Sequence, residues 1–303
     1  MVDRRRLLTL AATAAAAAVM PQIAHTAGMA VMKRPIPKSG EQLPVIGLGT
    51  SNTYDVEAAS AEGATAKDAL AAFADAGGTL VDSSPMYGRA ERAVGDLAAS
   101  LGLDARLFLA TKIWTQGRRE GEAQLAQSQQ RLRRTKLDLV QVHNLIDTAT
   151  HVATLRAARD AGTVRYIGLT HYTRGAQAEL EREMKKHDVD FIQINYSPLE
   201  PEAGGRLLPA AADAKVAVLV NRPFADGALF DRVKGRALPP EAAVLGCGSA
   251  AQLALKWILA HPAVTCVLAG SRKASHVRDN LAAASGALPD PAQRAAIAAW
   301  FAG

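Results

Sequence analysis

Four side chains that can transfer or stabilise a proton lie at, or within a few residues of, the ends of short apolar segments of the sequence. Asp82 and Tyr87 follow the first segment, with a Ser-Ser-Pro-Met turn between them. Lys112 follows the second segment, and His143 follows the third. The three segments are Thr79–Val81, Leu107–Thr111 and Leu137–Val142. A carboxylate, a phenol, an ammonium and an imidazole placed in this way indicate proton transfer to or from a reacting oxygen.

The three segments have the composition of buried β-strands. Each is short and rich in apolar residues, and glycine and proline bound the first of them. If the strands are parallel neighbours about 4.8 Å apart, side chains at their carboxyl ends lie within roughly 10 Å of one another. The carboxylate, the ammonium and the imidazole would then share one site, with Tyr87 in the loop above it.

These residues and their spacing resemble the aldo-keto reductases. Tyr87 lies five residues after Asp82. Lys112 follows Ala-Thr, and His143 lies in the run Val-Gln-Val-His-Asn. The resemblance covers about residues 43–300. It implies an oxidoreductase that reduces an aldehyde or ketone to an alcohol by hydride transfer from NADPH, with a small carbonyl compound as its substrate.

The resemblance also implies a role for each of the four side chains. A hydride that reaches a carbonyl carbon leaves negative charge on the oxygen, which needs a proton donor within reach. Tyr87 would be this donor. A free tyrosine has a pKa near 10, so Lys112, kept cationic by Asp82, would favour the tyrosinate that remains. His143 would orient or polarise the substrate oxygen.

The cofactor is expected to lie on loops. No GxGxxG opens a helix after the first strand and no GxxxxGK[ST] occurs, so the common open nucleotide-binding sheets are not indicated. The resemblance implies that NADP contacts Thr50, Thr170, His171, Gln193, Asn221, Arg222, Phe224, Gly270, Ser271, Arg272, Asp279 and Asn280. Among them, Arg272 at a helix amino terminus would hold the extra phosphate of NADP.

Three positions depart from the family's pattern. Asn221 stands where many members have a tyrosine that stacks on the nicotinamide ring. Ala269 replaces a frequent proline before the phosphate loop, and His276 replaces an arginine one turn into the next helix. The last two departures weaken the expected preference for NADPH over NADH and leave the expectation of a bound nicotinamide unchanged.

The order of strands and helices predicts the fold. Eight apolar strands alternate with helices, which favours a closed (β/α)8 TIM barrel with parallel strands and an active site at their carboxyl ends. The strands are predicted at 45–49, 79–81, 107–111, 137–142, 164–169, 191–195, 216–220 and 265–269. The helices are predicted at 62–76, 91–101, 120–134, 151–161, 175–186, 202–214, 249–260, 274–284 and 291–301.

Two further segments complete this prediction. A hairpin at residues 31–43 is expected to plug the bottom of the barrel. A loop at residues 222–248 is much longer than the usual 2–6 residues between a strand and a helix, so it is expected to cover the ligand. A floppy insertion is the alternative for this loop.

Residues 1–30 are predicted to be a cleaved signal peptide, and residues 31–303 the barrel domain. Three arginines at residues 4–6 precede an uncharged, alanine-rich run at residues 7–20, which is shorter than the about 20 residues that span a bilayer. The pair Arg4-Arg5 resembles the twin-arginine motif, which addresses folded proteins to export. We therefore expect a periplasmic protein with no stable membrane insertion, exported by the twin-arginine machinery. A start-site artefact or a basic cytoplasmic tail is the alternative.

Charge and cysteine spacing argue against a nucleic-acid partner, a disulfide and a metal site. Loss of one aspartate and three arginines with residues 1–30 lowers the formal charge from +6 to +4, so a nucleic-acid partner is not expected. The densest basic run, at residues 131–136, is expected to end a helix, where cations complement the dipole. Cys247 and Cys266 lack disulfide or metal spacing, so free thiols and no metal are expected.

Two other classes of protein stay open at this point. A Schiff-base aldolase would use Lys112 as a nucleophile in the same barrel. A nicotinamide-sensing binding protein would keep the pocket without turnover. Trapping of a lysine adduct by borohydride would indicate the aldolase. Tight nicotinamide binding without reduction of any carbonyl compound would indicate the sensor.

Overall fold

The computed structural model describes residues 31–303; the predicted signal peptide at residues 1–30, with its paired arginines, lies outside this part. The described chain begins with an antiparallel hairpin of β1 (Lys33–Pro35) and β2 (Gln42–Pro44). Eight parallel strands then close into a barrel: β3 (Ile46–Gly49), β4 (Leu80–Asp82), β5 (Phe108–Ile113), β6 (Leu137–His143), β7 (Val164–Thr170), β8 (Phe191–Asn195), β9 (Ala217–Asn221) and β10 (Val264–Leu268). The (β/α)8 fold predicted from the sequence is confirmed.

Eleven helices in residues 31–303 surround this barrel or cover its ends. They are α1 (Ala61–Asp75), α2 (Ala90–Ser100), α3 (Arg118–Arg131), α4 (Thr148–Asp160), α5 (Gln177–His187), α6 (Leu207–Asp213), α7 (Ala228–Val233), α8 (Pro240–Val244), α9 (Ala250–Leu259), α10 (Ala274–Ala282) and α11 (Pro291–Ala302). Side-chain caps fix three of the starts, since Ser60, Ser249 and Asp290 each accept a backbone N–H of the first turn. None of these helices is long and apolar enough to cross a bilayer.

The hairpin plugs the bottom of the barrel, as predicted. A small apolar cluster fills the barrel interior, and Ile36 and Leu43 of the hairpin belong to it together with residues that begin strands, such as Leu80. Arg34 donates hydrogen bonds from its guanidinium to the backbone carbonyls of Leu259, His261 and Val264. Hydrophobic contact and the partly buried guanidinium of Arg34 therefore close the end of the barrel opposite the carboxyl ends of the strands.

The basic run at residues 131–136 begins at the end of α3, as predicted. The helix ends at Arg131, and Arg133 has a φ of 55°, so most of the run follows the helix. Its three arginines also pair with carboxylates on neighbouring elements. The pairs are Arg131–Glu91, Arg133–Asp96 and Arg134–Asp138. The run therefore also links the end of α3 and the turn after it to α2 and β6 through ion pairs.

The helix predicted at residues 202–214 is broken in the structure. A turn of 3-10 helix spans Glu202–Gly205, Arg206 has non-helical angles, and α6 begins only at Leu207. Two adjacent glycines explain the break, because glycine loses about 0.5–1 kcal/mol relative to alanine inside a helix.

The segment at residues 222–248 contains helices, so the prediction of a loop without secondary structure is wrong. The alternative of a floppy insertion is wrong for the same reason. It contains α7 and α8, and the buried Leu229 and Val233 of α7 anchor it. Lys256 is buried and donates from its Nζ to the carbonyls of Leu245, Ser285 and Ala287. This ammonium ties the end of the segment to α9 and to the turn after α10. Both cysteines of the described chain are free, as predicted, and both are buried.

Candidate active site

Asp82 and Lys112 form a buried ion pair on neighbouring strands. Asp82 ends β4, Lys112 lies one residue before the end of β5, and Lys112 donates from its Nζ to Asp82 Oδ2 at 2.7 Å and to the carbonyl of Ser83 at 2.7 Å. Burial by itself lowers the pKa of Lys112, but the charge of Asp82 raises it above its usual value. The lysine is therefore held as an ammonium.

The other carboxylate oxygen of Asp82 is held by two amides. Gln193 of β8 donates from Nε2 to Oδ1 at 2.9 Å, and Gln141 of β6 does so at 3.2 Å. Gln141 was not predicted, although it lies two residues before His143, and alternate residues of a strand share a face. Gln193 was predicted to contact the cofactor, and the structure places it against the ion pair. Four strands of the barrel thus position one carboxylate.

Tyr87 lies directly above this pair. Its ring centroid is 4.9 Å from Lys112 Nζ and 5.9 Å from the imidazole of His143, to which it is nearly perpendicular. Burial raises the pKa of Tyr87 and outweighs the opposing effect of the Lys112 charge. The charge of Lys112 lowers the pKa of Tyr87, as expected, but by less than burial raises it, so the phenol stays protonated at neutral pH. Its proton is available for transfer.

His143 is a neutral imidazole at the end of β6. Burial, and then the charges of Lys112 and His171, lower its pKa to about 2. Its Nδ1 is 3.1 Å from Ser84 Oγ, a buried hydroxyl in the turn that carries Tyr87. Sequence reasoning missed Ser84, because a serine in a turn has no distinguishing pattern. A neutral imidazole can donate or accept a hydrogen bond but carries no charge to the substrate.

One cavity of about 620 Å³ brings most of the predicted residues together. Asp82, Tyr87 and His143 line it, with Lys112 behind them. The predicted cofactor residues that also line it are Thr50, Thr170, Gln193, Asn221, Arg222, Phe224 and Gly270. The remaining ones, His171, Ser271, Arg272, Asp279 and Asn280, do not. The size is within the range of about 300–1,000 Å³ found for ligand sites.

Asn221 leaves an acceptor free in this cavity. Its Nδ2 donates to the carbonyl of His171 at 3.0 Å and to Gln193 Oε1 at 3.3 Å. Its Oδ1 is buried and has no hydrogen-bond partner in residues 31–303. Because the carbonyl of His171 can only accept, the amide orientation is fixed by this network. The free oxygen is an acceptor available to a donor on a bound ligand, such as a carboxamide N–H.

The cavity is lined by glycine backbone, at Gly49 and Gly270, where it reaches the end of β10. A Cβ added to Gly270 would lie 3.1 Å from the carbonyl oxygen of Gly49, so a side chain there would crowd the gap between the two strands. Two glycines facing each other leave room for a ligand to approach the backbone closely. At this end of the cavity a ligand can therefore lie against the backbone itself.

The residues predicted for the adenine end are partly engaged elsewhere. Asp279 accepts hydrogen bonds from Ser249 Oγ at 2.7 Å and from Gln252 Nε2 at 2.6 Å, so it joins α10 to the start of α9. Ser271 Oγ accepts from the backbone N–H of Lys273 at 3.1 Å. Arg272 is exposed and borders a separate cleft of about 270 Å³, whose other lining residues are Asp55, Val56, Glu57, Ser60, Glu62 and Arg89.

Apolar side chains surround the mouth of the cavity. Met86, Tyr172 and Phe230 are exposed and line it, and Trp114 is exposed with its ring 6.4 Å from that of His143. Phe230 lies in the segment at residues 222–248 that was expected to cover the ligand, whereas Met86 and Tyr172 were not predicted. No group of three or more His, Cys, Asp or Glu side chains in residues 31–303 is placed to hold a metal ion.

Residues 45–298 match the aldo/keto reductase family. The chain therefore belongs to this family, as its resemblance predicted, and it is an NAD(P)H-dependent oxidoreductase that reduces carbonyl groups. It is similar to the methylglyoxal reductase YeaE of Escherichia coli, with 30% identity over 247 residues that cover 79% of this chain and 85% of that protein. It is also similar to the aldo-keto reductase str7 of Strobilurus tenacellus, with 28% identity over 78% of this chain and 81% of that protein.

Solved structures show the same fold. An aldo-keto reductase from Klebsiella pneumoniae in complex with NADPH superposes with a TM-score of 0.75 at 23% identity, covering 89% of this chain and 94% of that one. The holo form of the aldo-keto reductase AKR11C1 from Bacillus halodurans gives a TM-score of 0.71 at 20% identity, covering 89% and 96%.

Proposed function

We propose that this protein uses NADPH to reduce an uncharged aldehyde or ketone that carries an apolar or aromatic group. The observation that carries the proposal is the protonated Tyr87 above the buried Asp82–Lys112 pair, with a neutral His143 beside it in one cavity. NADP complexes among its structural relatives support the choice of dinucleotide.

Each side chain of the site has a separate role in protonating the reduced carbonyl oxygen. Reduced nicotinamide, when bound, would supply the hydride. Asn221 Oδ1 would hold it, and the backbone of Gly49, which ends β3, and of Gly270, which follows β10, would let the dinucleotide approach closely. Tyr87 gives its phenolic proton to the substrate oxygen as charge develops there. Lys112, held as an ammonium by Asp82, stabilises the tyrosinate that remains. His143 polarises the same oxygen without a change of charge.

The rim supports the proposed substrate class. Four exposed apolar or aromatic side chains surround the mouth of the cavity, and such surfaces bind matching apolar groups. The charged residues of the rim, Arg222 and Asp226, pair with each other at 2.7 Å. A carboxylate or phosphate on the substrate would have to break this pair, so uncharged carbonyl compounds are favoured.

Reduction of a carbonyl panel tests the proposal. The panel would contain aromatic aldehydes, alkyl aldehydes, apolar ketones, methylglyoxal and carboxylate-bearing aldehydes, and NADPH oxidation would be followed for each. We expect the highest kcat/KM with the aromatic and apolar members. Higher kcat/KM with the carboxylate-bearing compounds would contradict the substrate class, and no turnover with any member would contradict the function.

The structure disfavours the aldolase alternative. The side chain of Lys112 is fully buried, and its ammonium is engaged by Asp82 and the carbonyl of Ser83. A Schiff base requires a neutral amine that can reach the substrate carbonyl. The raised pKa of Lys112 keeps its amine charged, and the ion pair with Asp82 keeps it from reaching a substrate carbonyl.

Preference for NADPH over NADH is predicted to depend on Arg272. This guanidinium makes no ion pair within the described chain, so it is free to bind the extra phosphate. A charge-assisted hydrogen bond contributes about 1.5–3 kcal/mol, and Arg272→Ala should therefore weaken NADPH binding by roughly 10–100-fold and leave NADH binding nearly unchanged. Fluorescence titration of both dinucleotides measures this.

The exposed Arg182 of α5 offers a matched control for this substitution. Arg182→Ala removes the same charge outside the cleft and should change neither affinity. Equal affinities of the unsubstituted protein for NADPH and NADH would show that the phosphate is not recognised at Arg272. The carboxylates of Glu57 and Glu62 in the same cleft are the physical reason that such a result could arise.

We also propose that the chain is exported to the periplasm with its dinucleotide bound. Soluble nicotinamide is scarce outside the cytoplasm, and twin-arginine export carries folded cargo, so a preloaded enzyme needs a signal of this type. The arginine pair before a weakly hydrophobic alanine run supports this proposal.

Replacing Arg4 and Arg5 together by lysine is expected to hold the full-length protein in the cytoplasm. The charge is unchanged, so a loss of export reports recognition of the arginines themselves. Cell fractionation and the size of the product measure it, and Arg6→Lys serves as the matched control outside the pair. Normal processing of the doubly substituted protein in the periplasm would contradict twin-arginine export.

A further inference from the structure

The hydroxyl of Ser84 has two hydrogen-bond partners within residues 31–303. It accepts the backbone N–H of Met86 at 3.3 Å, and it lies 3.1 Å from His143 Nδ1. Ser84 is fully buried, so its hydroxyl cannot turn to bulk water. Its backbone carbonyl accepts the N–H of Tyr87 at 3.0 Å, which fixes the same turn to the proton donor.

This arrangement determines which nitrogen of His143 carries the proton. A serine hydroxyl has one proton and two lone pairs. The N–H of Met86 uses a lone pair, so the proton of the hydroxyl can bond only to His143 Nδ1. If Nδ1 carried a proton instead, two donors would point at Ser84 Oγ and its own proton would be buried without an acceptor, which folded proteins avoid.

Nδ1 is therefore an acceptor, and the single proton of the neutral ring lies on Nε2. His143 lines the active-site cavity, and its Nδ1 edge faces Ser84. The Nε2–H is then the donor available to a ligand oxygen. In the opposite tautomer, Nε2 would present a lone pair and repel a carbonyl oxygen.

We propose that Ser84 is a positioning residue that holds His143 as the Nε2–H tautomer, so that the ring donates a hydrogen bond to the substrate carbonyl oxygen. The catalytic part of this inference rests on the proposed reduction of carbonyl compounds. The tautomer part concerns the free protein and stands apart from turnover.

The tautomer can be measured directly by NMR. Long-range correlations between 15N and the carbon-bound protons of a 15N-histidine-labelled full-length chain distinguish a protonated from an unprotonated ring nitrogen. The protein has seven histidines, and comparison with His143→Asn assigns the signals of residue 143. In the unsubstituted protein we expect an unprotonated Nδ1 and a protonated Nε2.

Ser84→Ala removes the hydroxyl and should shift both 15N signals of His143 toward a mixture of tautomers. It should also lower kcat for a carbonyl substrate by about tenfold, the effect of one lost hydrogen bond, with the Kd for NADPH unchanged. Ser84→Thr keeps a hydroxyl and should retain the signals. Ser128→Ala is the matched control, because Ser128 is equally buried and its Oγ has no partner in the described chain.

A protonated Nδ1 in the unsubstituted protein would overturn the proposal. So would His143 signals that do not change in Ser84→Ala, even if kcat fell, because the serine would then act in another way. If no carbonyl compound is reduced, the proposed function fails, and the NMR signals still decide whether Ser84 sets the tautomer. Near-UV circular dichroism of each variant shows that its fold is retained.

Discussion

Tyr87→Phe is expected to lower kcat by roughly 10²–10⁴-fold, the usual contribution of a positioned acid or base. The substitution keeps the ring that packs against His143 and removes only the hydroxyl. The dinucleotide should bind with nearly the same Kd, because the loss concerns proton donation in the transition state. Steady-state rates of NADPH oxidation and a cofactor titration measure the two effects.

Tyr166→Phe is the matched control for this prediction. Its hydroxyl bonds to Ser39 and Glu41 near the plug, away from the site. The raised pKa of Tyr87 also implies that unsubstituted activity falls only at alkaline pH, when the phenol loses its proton. That alkaline decline should be absent from the residual activity of Tyr87→Phe. Near-normal turnover by this variant would contradict the assignment of Tyr87 as the donor.

Lys112→Met is the second substitution with a large expected effect. Removing the ammonium takes away the charge that stabilises the tyrosinate, so kcat should fall by roughly 10²–10⁴-fold. It also leaves the buried carboxylate of Asp82 without its cation, and breaking a buried pair costs about 3–5 kcal/mol of unfolding free energy. Denaturant unfolding and steady-state kinetics measure the two effects separately.

The double variant Asp82→Asn with Lys112→Met separates folding from catalysis. It removes both charges, so most of the lost stability should return because no unpaired charge stays buried. Activity should remain low, since neither the ammonium nor its partner is present. Recovery of activity along with stability would mean that Lys112 acts through the fold rather than on Tyr87.

The roles of Gln141 and Gln193 show where sequence reasoning reached its limit. Gln193 was placed in the site by resemblance, but its bond to Asp82 joins residues that are 111 positions apart. Gln141 shares a strand and a face with His143, so its direction could have been inferred. Its partner could not, because the register of β4, β5 and β6 decides which side chains meet inside the barrel.

The predicted anion site at Arg272 shows a limit of a different kind. Its place after the last strand and before a helix is a local property, and the structure confirms that place. The structure also places it in a cleft with carboxylates from the loop after β3 and from the start of α1, which are more than 200 positions earlier in the chain. The direction of an exposed, flexible side chain and the charges near it are not encoded by its own neighbours in sequence.

The sequence by itself determined the alternation of strands and helices, the barrel, and the delivery of Asp82, Lys112 and His143 to one end of it. These follow from apolar periodicity and from parallel strands that end on the same side, both of which are local or topological rules. Only the tertiary structure decided the folding of residues 222–248, the free oxygen of Asn221 and the bond between Ser84 and His143. Each depends on contacts between side chains that are far apart in the chain, and these contacts are fixed by packing and not by composition.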